Sequence, residues 1–269
     1  MAVVALASAK GSPGVTTSAL AFTLSWASRT LLAECDPAGG SVLAGYLQAQ
    51  LPADRGLLPL AIVELRDDGL AAGFRGQLVD LDPPHGHTLL LPGLTDPVQA
   101  GTLAPLWGRL AAFFAELEHA HPPGDVIVDC GRLAAEHVPW PLLDAADAVL
   151  LAVRPTLASI AAAVPVVRAF TRHLQDAVGS ASSLGLLMIG DGPYGAREIA
   201  GSLTLPVVAN LPDDRRTAGV LANGGVVRSR SPLMRAAAGA EALVRRLIAR
   251  HRQLVPRRPV LKEVRGGAI

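Results

Sequence analysis

Apolar runs of strand length recur along the chain at 2–8, 29–33, 87–91, 125–129, 147–153, 184–189 and 205–209. Between them the spacing of apolar residues predicts helices over 16–27, 103–119, 155–176, 194–203, 214–222 and 232–253. The strand runs lack polar alternation, as strands buried on both faces do, and they alternate with amphipathic helices. That pattern predicts an α/β fold: one mostly parallel, doubly wound sheet with helices on both faces. The stretch 37–86 is the least regular: "GLLPLAIVELRDDGLAAG" hints at short helices and "LDPPHGH" at a loop. No repeat and no break in composition interrupts the body. A single domain over 1–253 is expected, with 254–269, which holds Pro256 and Pro259, as a basic and mobile tail.

Composition sharpens this picture without redirecting it. The chain has 269 residues, half of them apolar, with 17% charged and 4% aromatic, so it can bury a large core and reads as globular. The net charge of +1 hides an asymmetry. From Arg245 onward lie eight of the 24 basic residues but only one of the 23 acidic ones, Glu263, which leaves a mildly acidic body. Only Lys10 and Lys262 are lysines, so a lysine in a glycine-rich loop stands out against an arginine background. Two cysteines, Cys35 and Cys130, cannot form a disulfide framework and fit a reducing compartment. "MAVVALASA" lacks the basic flank of a signal peptide, and no uninterrupted apolar run reaches the ~18 residues of a membrane span. A cytoplasmic protein is expected, with peripheral attachment at a membrane as an alternative.

Ligands in such sheets bind beyond the carboxyl ends of the strands, so the chemistry is sought there. After the first strand comes Lys10-Gly11-Ser12-Pro13-Gly14-Val15-Thr16-Thr17. Glycines let successive N–H groups curl toward phosphate oxygens, the helix start adds its positive dipole end, and a threonine there can ligate magnesium. The lysine that neutralises terminal phosphates in such loops is missing, because Val15 occupies its place. A plain strand–turn–helix accounts for the same residues. The second strand runs into Glu34-Cys35-Asp36-Pro37, and "DVIVDCG" ends an apolar strand on Asp129. A carboxylate at either point can hold magnesium or orient water, and each alone is also an ordinary turn.

Together the three segments stand in order on successive strand ends. In them the chain resembles the deviant Walker A ATPases of the ParA/MinD group, within the P-loop NTPase class, and the layout is similar over nearly the whole length. The group's loop reads Lys-Gly-Gly-x-Gly-Lys-Thr-Thr. The resemblance implies ATP and Mg²⁺ as cofactors, held by Lys10, Gly11, Ser12, Pro13, Gly14, Val15, Thr16 and Thr17. It implies Lys10 as the signature lysine that reaches across a nucleotide-linked homodimer, Thr16 as magnesium ligand, Asp36 as the water-orienting acid and Asp129 as the Walker B acid. "LPVVANLPDDRRTAGVLANGG" is similar to the segment that closes the adenine side, whereas the asparagine that usually reads adenine is replaced by "LLMIGDGPYG". Loss of the P-loop lysine removes one charge-assisted contact, ~1.5–3 kcal/mol or about ten- to a hundredfold in affinity, and more from turnover than from binding. The resemblance implies a degenerate member that binds ATP weakly, dimerises and positions or scaffolds an unknown protein partner or cargo, with slow or absent hydrolysis. A nucleotide-free adaptor of a pilus or secretion apparatus (TadZ/CpaE type) and an active DNA- or cargo-partitioning ATPase are the alternatives.

Other features carry less. Gly190-x-Gly192-x-x-Gly195, with Asp213 and Asp214 further on, imitates a dinucleotide fingerprint but comes too late in the chain, and Pro193 suits a simple turn. His85 and His87 lack partners for a metal set and read as exposed loop residues. "PLMRAAAGAEALVRRLIARHRQL" reads first as a last helix docked by its apolar face; contact with DNA or a membrane surface through its arginines is the sharper alternative.

Overall fold

The computed structural model describes residues 1–11, 13–65, 70–83, 85–117 and 123–255. Eight strands form one sheet: β1 (Val3–Ser8), β2 (Thr30–Glu34), β3 (Val79–Asp80), β4 (Thr88–Leu91), β5 (Asp125–Arg132), β6 (Ala148–Val153), β7 (Leu184–Ile189) and β8 (Val207–Leu211). Their order is β3-β4-β2-β5-β1-β6-β7-β8, and every neighbouring pair is parallel except β3 with β4. The chain leaves β1 toward β2 on one side and later toward β6 on the other. Loops therefore diverge above β1, where open α/β sheets place ligands.

Strands such as Val3–Ser8 and Ala148–Val153 are buried at every position because both faces of the sheet are covered. One face packs on α1 (Val15–Ser25), α8 (Arg215–Asn223) and α9 (Pro232–Leu254), against Val4, Leu6, Leu32, Ile127 and Leu150. The other packs on α2 (Leu57–Leu65), α3 (Leu70–Phe74), α4 (Ala104–Glu116), α5 (Trp140–Asp144), α6 (Leu157–Val178) and α7 (Ala196–Leu203), against Val3, Ala5, Ala7, Val126 and Val149. The doubly wound sheet is thus as expected.

Local chemistry explains the elements that looked awkward. α1 is buried almost all round, and its Ser18 and Thr23 hydroxyls are satisfied by the carbonyls of Gly14 and Ala19 one turn back, at 2.7 and 2.8 Å. α6 runs through Pro165 because that residue is on the exposed side, where water replaces the lost hydrogen bond. Two elements carry no periodic signal: the two-residue β3 and the five-residue α5, which follows Pro139. β5 extends three residues past Asp129, and this extension shapes the site.

α9 docks by its apolar face and by two of its arginines. Arg245 reaches the buried Asp125 at 2.6 Å, and the same carboxylate takes Trp26 Nε1, Ser28 Oγ and the Ala2 N–H at 2.7, 2.6 and 2.7 Å. Burial would raise the Asp125 carboxyl, but the Ser28, Trp26 and Arg245 hydrogen bonds outweigh it and hold the group below its usual value. Arg252 pairs with the buried Asp147 at 2.9 Å, which also accepts the Val3 N–H at 2.8 Å. Arg235, Arg246 and Arg250 of the same helix are exposed. The tail beyond 255 lies outside the described residues.

Candidate functional site

β1 delivers the glycine loop to the middle of the sheet's carboxyl edge. Gly11 and Gly14 have φ of 77° and 113°, values that L side chains rarely adopt, and a Cβ would meet nothing within 4 Å at Gly11 and only Ile189 at ordinary contact at Gly14. The glycines are there for backbone direction, not for room. α1 begins at Val15 with Gly14 as its N-cap and no side-chain hydrogen bond to cap it. Its first-turn N–H groups have no such cap, the condition under which a helix start takes an anion. Lys10 and Gly11 are exposed on the rim, Pro13 is buried, and Thr16 and Thr17 are half-buried. Ser12 lies outside the described residues. Val15 is buried and joins the core beneath α1. The position that holds a lysine in the resembled loop is here a packing residue.

Asp129 projects to the α1 side of the sheet, 2% exposed, next to Glu34 in the register of β2 with β5. Burial pushes its carboxyl up to about 7; the Thr16 hydroxyl and the Gly131 N–H (3.0 Å) oppose the rise, and the carboxylates of Asp36 and Glu34 add to it. A group so poised favours a nearby cation, which would stabilise its charged form. Thr16 and Asp129, expected from sequence to serve magnesium, are in contact.

Asp36 sits just past β2, half-buried, its Oδ1 accepting the Ala38 N–H at 2.8 Å. Burial raises its carboxyl, against the Ala38 hydrogen bond and the positive charge of Arg132. It lies directly against Gly131: a Cβ at that glycine would overlap the Asp36 carboxyl, and φ there is +64°. Gly131 was not singled out from sequence as a functional residue, although its place right after Asp129-Cys130 at a strand end was the available signal.

Glu34 has a different task from its neighbour. Its buried carboxylate accepts the N–H groups of Ser41, Val42 and Gly93 at 2.7, 2.9 and 3.3 Å, which shapes the loop that carries Asp36. Burial raises its pKa, against the Val42, Ser41 and Gly93 hydrogen bonds. Cys35 and Cys130 are wholly buried, and burial lifts both thiols well above their usual range, so they are packing residues rather than nucleophiles. His85 and His87 are exposed, with His85 3.4 Å from Asp82. Among the described residues no group of three His, Cys, Asp or Glu is arranged to hold a metal ion. A magnesium ion between Thr16, Asp36 and Asp129 would therefore draw further ligands from water and phosphate, as that ion ordinarily does.

The residues present fit a magnesium nucleotide: an uncapped helix start behind two left-handed glycines, a threonine on a buried carboxylate, and a second acid beside them. They lack the cis lysine.

This architecture is the P-loop NTPase fold in its MinD/ParA form. MinD cell division protein of Aquifex aeolicus superposes with a TM-score of 0.66 over 93% of this chain and 98% of its own, at 17% identity. The septum site-determining protein MinD of Pyrococcus horikoshii, solved with Mg-ADP, gives 0.67 over 93% and 98%, at 13% identity. A ParA family ATPase from Chlorobium tepidum gives 0.66 over 88% and 96%, at 15% identity. No protein-family model matches the sequence, and no curated protein matches it.

Proposed function

We propose that this chain is a degenerate MinD/ParA-like protein that binds Mg-ATP weakly, pairs with a second copy, and positions or scaffolds a protein cargo. The observation that carries this reading is the Thr16–Asp129 contact at the foot of an uncapped α1, with Asp36 held against Gly131 alongside. Bound Mg-ATP would supply the terminal phosphoryl group for transfer to water, with ADP as the leaving group, and the divalent cation as charge stabiliser. The chain's own part is to present the α1 N–H groups to phosphate oxygens, to hold the cation's shell through Thr16 and Asp129, and to orient water from Asp36. Val15, packed in the core, offers no charge to a developing phosphate anion, so hydrolysis is slow or absent. Lys10, exposed on the rim, is free to reach a partner copy's phosphates. The exposed Arg235, Arg246 and Arg250 remain for contact with an anionic surface such as DNA or membrane, since Arg245 and Arg252 are engaged in the fold. No helix among the described residues is long and apolar enough to cross a membrane.

Calorimetry with Mg-ATP and Mg-ADP tests the reading. Binding in the micromolar range or weaker, tighter for ATP, is expected, along with a Val15→Lys variant that gains ATPase activity and loses it again with Asp36→Ala. An absence of heat at millimolar ATP would leave the nucleotide-free adaptor as the better description. Light scattering of wild type and Lys10→Ala, with a non-hydrolysable ATP analogue, tests the dimer: only the wild type should double in mass.

A further inference from the structure

The loop at residues 10–14 has lost its cis cation, yet a positive side chain stands beside it on the neighbouring strand. In the pairing of β1 with β5, Leu6 is opposite Asp129 and Ser8 is opposite Arg132. Two steps along β1 therefore match three along β5: a bulge, with Gly131 at φ +64° as its left-handed residue. Without the extra residue Gly131 would face Ser8, and Arg132 would fall one position further out. The bulge is fastened on both sides, by Leu133 N–H to the Ser8 carbonyl at 2.8 Å and by Ser8 Oγ to the Gly131 carbonyl at 3.4 Å. Arg132 is thus anchored next to the residue from which the glycine loop departs. It is the exposed end of an otherwise buried strand, and among the described residues it makes no salt bridge and no side-chain hydrogen bond. Its charge nevertheless reaches Asp36, whose carboxyl it helps to lower.

Other cations near the loop are placed differently. Lys10 rides on the loop's own rim, and Arg154, past the end of β6, lies by Gly190 on the opposite side of β1 from Asp36. We propose that Arg132 is a phosphate-binding residue of this site, supplying in cis, from the bulge of β5, the positive charge that Val15 does not. The inference rests on the nucleotide-binding reading above. A guanidinium suits the task, because it stays charged at any working pH and can bind two phosphate oxygens at once. The bulge explains why glycine is needed at 131: any side chain there would displace Asp36 and move Arg132 away from the loop.

The test is a double-mutant cycle on the full chain, read as Mg-ATP affinity by calorimetry at protein concentrations that keep it monomeric. Arg132→Ala should weaken binding by about tenfold or more, and Arg132→Lys by less, as expected for one charge-assisted contact. Val15→Lys should bind more tightly than wild type, and in that background Arg132→Ala should cost little, since the restored lysine covers the same charge. Thermal melts of Arg132→Lys and Arg132→Gln guard against a fold defect in the alanine variant. Wild-type affinity in Arg132→Ala overturns the proposal, as does a deficit of equal size with and without Lys at position 15. A wild type that takes up no Mg-ATP at millimolar concentration overturns the parent reading as well, and the two failures are distinct.

Discussion

Two glycine-rich turns join a strand to a helix at the sheet's carboxyl edge, residues 9–14 and 190–195, and they are built for opposite ends. In the first, Gly11 and Gly14 take left-handed conformations, with open space at Gly11 and no more than ordinary contact with Ile189 at Gly14, and α1 starts without a side-chain cap. In the second, Gly190 is also left-handed, but Gly192 is pressed against the Pro155 carbonyl so closely that a Cβ would overlap it. The start of α7 is closed by its own Glu198, which accepts the Gly195 N–H at 2.7 Å. A carboxylate there already occupies the positive end of the helix and would repel a phosphate. Glycine spacing alone does not distinguish the two turns. What separates them is whether backbone donors are left available or are consumed by the chain itself, and whether acids suited to a cation stand beside them.

The largest expected effect separates the turns by what each one loses. Gly192→Ala should destabilise the fold by about 2–4 kcal/mol, because a new methyl must displace backbone rather than a side chain, while the protein that remains folded keeps its nucleotide affinity. Thr16→Ala should do the reverse, leaving stability within about 1 kcal/mol and weakening Mg-ATP by about tenfold. Chemical denaturation beside calorimetry reads both, and equal loss of nucleotide in both variants would break the contrast.

A smaller effect is tied to pH and belongs to the first turn only. Asp129 is raised from 3.8 to about 7 in the folded protein, so between those values the native state holds a proton that the unfolded state has released. Stability contributed by this group therefore falls as pH rises from about 4 to about 7 and is level above that. Asp129→Asn should match wild type near pH 4 and exceed it near pH 8, by on the order of 1–3 kcal/mol. Mg-ATP should displace the proton, making the binding enthalpy at neutral pH depend on the buffer. A pH-independent difference between the two proteins would assign Asp129 to packing.

The smallest effect tests the second turn. Glu198→Gln weakens the cap of α7 and should cost about 0.5–1 kcal/mol, seen as a small loss of melting temperature with nucleotide affinity unchanged.

Much of this protein was legible along the chain. Uninterrupted apolar runs such as 2–7 and 148–153 are suited to burial between two helical layers, so the doubly wound sheet follows from their pattern. Lys10, Gly14, Thr16, Asp36 and Asp129 stood out because strand ends are where acids and glycines depart from an apolar background. Tertiary structure decided the rest. Neighbouring strands bring Asp36 against Gly131 and Arg132 beside Ser8, through a bulge whose register depends on hydrogen bonds between residues more than a hundred positions apart. Likewise Glu34 and Asp36, two residues apart, diverge: one carboxylate is consumed by the backbone N–H groups of Ser41 and Val42 in the loop that follows and of the distant Gly93, and the other is left at the site. Periodicity is a local property that each segment carries by itself, whereas the availability of a donor, an acid or a charge depends on which groups folding has placed next to it.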